Sequence, residues 1–141
     1  MRTRLTALAL IVVAAGGVVA LAAAQSQANG LPAYTDGYAK WRKLNKKPVT
    51  APGAHNGVKN VYASKRKVGT RYPNGTVIVK TIRNDGFLNQ FAAMRKVRGV
   101  WQFVEWQRSA PSARFRILAQ GRICQSCHMQ ARSNDFVFTR G

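Results

Sequence analysis

Cys124, Cys127 and His128 stand in the run Cys124-Gln125-Ser126-Cys127-His128, the densest grouping of nucleophilic and metal-binding side chains in the chain. Thiols at this spacing reach the two vinyl groups on one edge of a porphyrin, and a histidine directly after the second falls under the iron. The motif therefore reads as attachment of one haem c, with the iron held by His128 and both thiols consumed as thioethers. A structural zinc site needs four ligands, and beyond these three the chain offers only His55 in a distant loop. A thioredoxin-like pair belongs to a parallel-sheet pattern, whereas this pair ends a meander-like chain.

Only 13 residues follow His128, so a second axial ligand has to come from upstream. Met129 adjoins the proximal histidine and cannot cross the ring, and Met94 falls in an expected strand, where core filling is its ordinary role. His55 lies in a Pro- and Gly-rich loop, the setting of a surface or hydrogen-bonding histidine. The distal face is thus expected to be open. An open face suits binding or reacting with a small ligand rather than electron shuttling alone.

The elements that must position this motif read mainly as strands. Strand composition marks residues 58–63, and the turn Tyr72-Pro73-Asn74-Gly75 launches the clearest strand, 76–82. Two more, 90–97 and 100–108, meet at Arg98-Gly99 in a tight-hairpin spacing and should pair antiparallel. In the second, Val104 and Trp106 lie on one face and Trp101 and Phe103 on the other, so both faces are expected to be covered. Asp36 offers an N-cap for a short amphipathic helix over 37–44, with Tyr38, Trp41 and Leu44 on one side. Residues 112–121 are expected to form a helical turn leading into the cysteine motif, and 48–57 an irregular connection.

The chain opens with Arg2 and Arg4 ahead of an apolar, small-residue run, the pattern of an export signal over residues 1–24, with a second cleavage point after 28. A single domain over 29–141 would then work in the periplasm, reaching the membrane only if the segment stays uncleaved. With 23 Lys and Arg against 4 Asp and Glu, the net charge is +19. Such a field attracts an acidic redox partner or anionic small molecules, and export argues against nucleic acid.

The combination of Tyr72-Pro73-Asn74-Gly75-Thr76-Val77-Ile78-Val79-Lys80, Trp101-Gln102-Phe103, and Cys124 to His128 followed by Asp135-Phe136-Val137-Phe138-Thr139 resembles the cytochrome P-460 family, including its beta-sheet cytochrome c-prime relatives. The resemblance implies an α+β fold, mainly antiparallel sheet with peripheral short helices, commonly a homodimer. It also implies a five-coordinate haem with His128 as sole protein ligand. In P-460-type members a lysine forms a further bond to the porphyrin, and Lys80 matches it; those members oxidise hydroxylamine. The c-prime-like members bind nitric oxide or carbon monoxide in an apolar pocket.

Two departures favour binding over catalysis. Phe91 aligns with the distal glutamate of the oxidising members, where it would cap an apolar pocket and could not act as a base. Lys59 stands where those members carry an arginine before the Val-Tyr pair. Glu105, the remaining glutamate, is a second candidate catalytic group, with partnership to a neighbouring arginine or lysine as its plainer role. The sequence therefore favours a haem protein that binds a small nitrogen-oxide or diatomic ligand and passes electrons on. A hydroxylamine or nitric oxide oxidoreductase and a plain electron carrier stand as alternatives.

Overall fold

A computed structural model describes residues 29–50 and 53–139; the expected export segment lies outside them. The described chain builds one six-stranded sheet in sequential order. Its strands are β1 (Arg42–Lys43), β2 (Val58–Ala63), β3 (Val77–Asn84), β4 (Phe87–Val97), β5 (Val100–Gln107) and β6 (Arg116–Gln120). Every neighbouring pair is antiparallel. The helix α1 (Arg122–His128) and a 3-10 segment, Met129–Asn134, follow the last strand. The expected α+β architecture is present.

Turn chemistry sets the register. Arg98 and Gly99 take φ of 50° and 82° between β4 and β5, and Asp85 and Gly86 take 51° and 82° between β3 and β4. Positive φ at both central residues matches the right-handed twist of the strands on either side. Before β3, the Thr76 N–H donates to the Pro73 carbonyl at 3.2 Å, and Gly75 adopts a φ of 76°.

Alternation then gives the sheet two apolar faces. On one, Val61, Ala63, Ile78, Met94, Trp101 and Phe103 pack with Leu44, Tyr72 and Val137. On the other, Val77, Val79, Phe91, Ala93 and Trp106 pack with Phe115 beneath Leu31, Tyr34, Tyr38 and Trp41 of the N-terminal segment. Covering both sides explains why β5 carries large apolar groups on each face.

Two expected helices are absent. Residues 37–44 form only a 3-10 turn, Tyr38–Lys40, followed by β1. Asp36 makes no side-chain cap to it, and Gly37, in the left-handed region, takes the N-cap position. The Leu44 N–H donates instead to the Val61 carbonyl at 2.8 Å, which draws the segment onto the sheet edge. Trp41 and Leu44 consequently join opposite faces. Within residues 112–121, β6 replaces the expected helical turn. Its pairing with β5 satisfies the backbone, and its adjacent Ile117 and Leu118 remain exposed.

The C-terminal segment is fastened to the sheet by Asp135. Its carboxylate accepts from Lys96 Nζ at 2.8 and 3.0 Å, from the Trp101 indole N–H at 3.2 Å and from the Tyr72 backbone N–H at 2.7 Å. Burial opposes the charge on Asp135, but the Lys96 ammonium and the Tyr72 and Trp101 donors outweigh it and hold the carboxyl below its ordinary range. Replacing Asp135 by Asn leaves the Lys96 charge buried without its counter-ion. Urea denaturation is expected to show a loss of about 3–5 kcal/mol, largely recovered in the Lys96→Met/Asp135→Asn double variant, whose amide oxygen still accepts from Tyr72 and Trp101. Because the folded pKa lies below the unfolded value, the wild-type increment is present at neutral pH and is lost as pH falls through the folded pKa; D135N loses that acid dependence.

Candidate haem site

Register carries Val61, Lys80, Ala92, Glu105 and Ala119 into one row across β2 to β6. Side chains of such a row share a face, and strands two apart are separated by roughly 10 Å. Lys80 and Glu105 therefore flank Ala92, the small residue between them. All three border an apolar cavity. Val61, Ile78, Met94, Phe103 and Val137 supply its apolar wall, and Cys124 and His128 border it from the side of α1.

The helix explains how three reactive groups reach one place. Positions three and four apart on a helix share a side, so Cys124, Cys127 and His128 form a single stripe. Gly121 starts α1 with a φ of 67° and donates its N–H to the Phe103 carbonyl at 3.1 Å, which pins the helix start to β5. Both cysteines are free thiols; Cys127 is exposed, and Cys124 packs against the sheet. Burial raises the Cys124 pKa, with the charges of Glu105 and Cys127 adding to the shift.

His128 is held as a neutral ligand would need to be. Its Nδ1 lies 2.7 Å from the Phe136 carbonyl. A carbonyl only accepts, so Nδ1 carries the proton and Nε2 keeps the lone pair. The ring sits between Phe103 and Phe138, at centroid distances of 4.7 and 5.2 Å. Burial lowers its pKa against the pull of the Phe136 carbonyl, and the charges of Lys80 and His55 lower it further. Asp135 and Phe136 both adopt positive φ, 55° and 64°, so the Asp135 anchor also aims the Phe136 carbonyl.

Lys80 faces the cavity from β3. Burial first, then the charge of Lys59, pull its pKa below the ordinary 10.5, while Glu105 and Cys127 pull the other way. Among the described residues Glu105 pairs with neither an arginine nor a lysine. Its Oε1 lies 2.7 Å from His55 Nδ1, with the side chains only 12% and 16% exposed. His55 thus takes the hydrogen-bonding role expected of it, and Met94 fills the core beside the cavity.

Phe91 does not join the site. It is 0% exposed on the opposite face, with Tyr38, Trp106 and Phe115 at centroid distances of 5.1, 6.2 and 6.1 Å. A shift of one residue along a strand reverses the face, so Ala92 occupies the place expected of Phe91. The residues that sequence reasoning missed are this alanine, the aromatic pair around His128, and the Phe136 carbonyl. The Trp101-Gln102-Phe103 motif and the Phe-Val-Phe run after Asp135 were their signals in the sequence.

The thiol stripe, a histidine with Nε2 free and the apolar cavity between helix and sheet together fit a covalently held porphyrin. The family model for cytochrome P460 matches residues 35–139. The chain belongs to the cytochrome P460 family. Membership makes it a haem-binding cytochrome. Comparison with curated proteins and with solved structures gave no match.

Lys80 also gives a stability prediction for the haem-free chain. Its folded pKa lies below the unfolded value, so the unfolded chain binds more protons in the window just under pH 10.5. Stability contributed by this group therefore rises with pH through that window. Denaturant melts of wild type and Lys80→Met at stepped pH are expected to show the rise in the wild type and a flatter curve in the variant.

Proposed function

We propose that this cytochrome works in the periplasm and holds one haem through thioethers at Cys124 and Cys127, with His128 as its only protein ligand. Its activity in this reading is oxidation of a small nitrogen compound of the hydroxylamine class. The observation that carries it is the single row Lys80, Ala92, Glu105 on the cavity wall bordered by His128. A haem bound by Cys124, Cys127 and His128 would supply the one-electron redox chemistry that the side chains of this cavity lack.

The chain supplies the rest. Oxidation of a nitrogen hydride releases protons along with electrons, and Glu105 is the carboxylate placed to accept them. Ala92 leaves room for a substrate of few atoms between Glu105 and Lys80. Val61, Ile78 and Phe103 exclude water. Burial and the Lys59 charge favour the neutral amine of Lys80 that a bond from Nζ to a porphyrin carbon requires. That bond replaces one N–H and one C–H, and its formation needs a two-electron oxidant such as a peroxide.

Capture of neutral diatomics such as nitric oxide or carbon monoxide is the second reading, favoured by the apolar lining. In either reading the +19 charge suits an acidic redox partner. The exposed Ile117 and Leu118 of the edge strand β6 support a homodimer.

Mature holoprotein tests these readings directly. Intact mass is expected to equal the processed chain plus one haem, lighter by two hydrogen atoms for the Lys80 bond, with an absorption spectrum displaced from that of ordinary haem c. An ordinary spectrum with thioether mass alone removes the Lys80 bond. Glu105→Gln is expected to lower hydroxylamine turnover by about 10²–10⁴. Fast carbon monoxide binding without any hydroxylamine turnover would select the second reading.

A further inference from the structure

His55 belongs to no element of the sheet, yet its position is firmly set. The loop carrying it is closed at its base by the Val49–Lys59 bridge, whose two backbone hydrogen bonds measure 3.0 and 2.8 Å. Asn84 Nδ2 donates to the Asn56 carbonyl at 2.9 Å. Gly57, at a φ of 127°, lies so close to β3 that a Cβ there would fall 2.3 Å from Asn84 Oδ1 and 2.7 Å from the Arg83 carbonyl. Only glycine permits that approach. His55 itself takes a φ of 63°, an uncommon conformation for this residue type.

This placement puts His55 on a boundary. Glu105 borders the apolar cavity, whereas His55 borders both that cavity and an adjoining cleft whose rim at Val49, Gly53 and Gln130 is exposed. Lys80 and His128 border both spaces as well, Cys124 the first, and Lys59 and Cys127 the second. Of these, His55 is the one hydrogen-bonded to Glu105.

We infer that His55 is the proton-transfer residue of this site, taking protons from Glu105 and handing them to water at the exposed rim of that cleft. A neutral ring protonated at Nε2 accepts a proton at Nδ1 from the protonated Glu105 and releases its Nε2 proton to water; it then donates Nδ1–H to the regenerated carboxylate until exchange with water restores the starting tautomer, with no net change. Imidazole is the side chain suited to both steps near neutral pH. The inference rests on the reading of Glu105 as proton acceptor given above.

The test uses mature holoprotein carrying His55→Asn, because asparagine tolerates positive φ; an unchanged urea midpoint relative to wild type guards against a loop defect. Hydroxylamine turnover in H55N is expected to fall by about 10²-fold. Rising concentrations of a small buffer that does not ligate iron should restore it, while wild type ignores the buffer. E105Q should gain nothing from buffer, since it cannot collect the protons. Turnover equal to wild type, or a loss that buffer leaves untouched, overturns the inference.

Should wild type fail to oxidise hydroxylamine, the reading of function falls, and the dyad is judged by the ferric–ferrous midpoint potential against pH. A pH dependence displaced or removed in H55N supports the proton link. Superimposable curves for the two proteins overturn it.

Discussion

Asp135 places a negative charge beneath the segment that follows α1, and four donor contacts from three separate parts of the fold converge on it. Lys96 brings the end of β4, Trp101 the start of β5, and Tyr72 the turn before β3. The price of burying an ion pair is high unless its remaining hydrogen-bond capacity is met. Here the indole and the backbone N–H meet it. The next residue, Phe136, is thereby fixed in a left-handed conformation with its carbonyl on His128 Nδ1. Sheet stability and ligand orientation consequently depend on the same carboxylate.

The other constraint is the two-residue period of the strands. It sends Phe91 and Trp106 to one side and Lys80, Ala92 and Glu105 to the other, so one face is reinforced by an aromatic core while its reverse lines the cavity. The N-terminal segment that covers the aromatic side leaves the reactive side to α1 and the C-terminal turn. A meander with only hairpin connections reaches this arrangement without crossovers.

Local chemistry made much of this legible. The Tyr72-Pro73-Asn74-Gly75 turn, the Arg98-Gly99 hairpin and the alternation in β5 act through near neighbours, and the structure reproduces the elements they predict. What could not be read depends on contacts distant in sequence. The three-residue spacing of Tyr38, Trp41 and Leu44 mimics a helix, yet the segment crosses the sheet edge and divides its side chains between two cores. Phe91 and Ala92 are adjacent, and only the register against β3 and β5 shows which one faces Lys80. The Glu105 partner comes from 50 residues away, in a loop without periodicity.

The row through Lys80, Ala92 and Glu105 spends one residue from each of three consecutive strands, and none of the three is a hairpin residue or a contributor to the Asp135 anchor. The spacing between the outer two is imposed by the hydrogen-bond ladder and is insensitive to the side chains themselves. The sheet thus acts as a ruler on which amine, space and carboxylate are marked separately. A lineage built on this frame can exchange the carboxylate, or widen and narrow the gap, one codon at a time, while the contacts that fold the chain and seat His128 stay as they are.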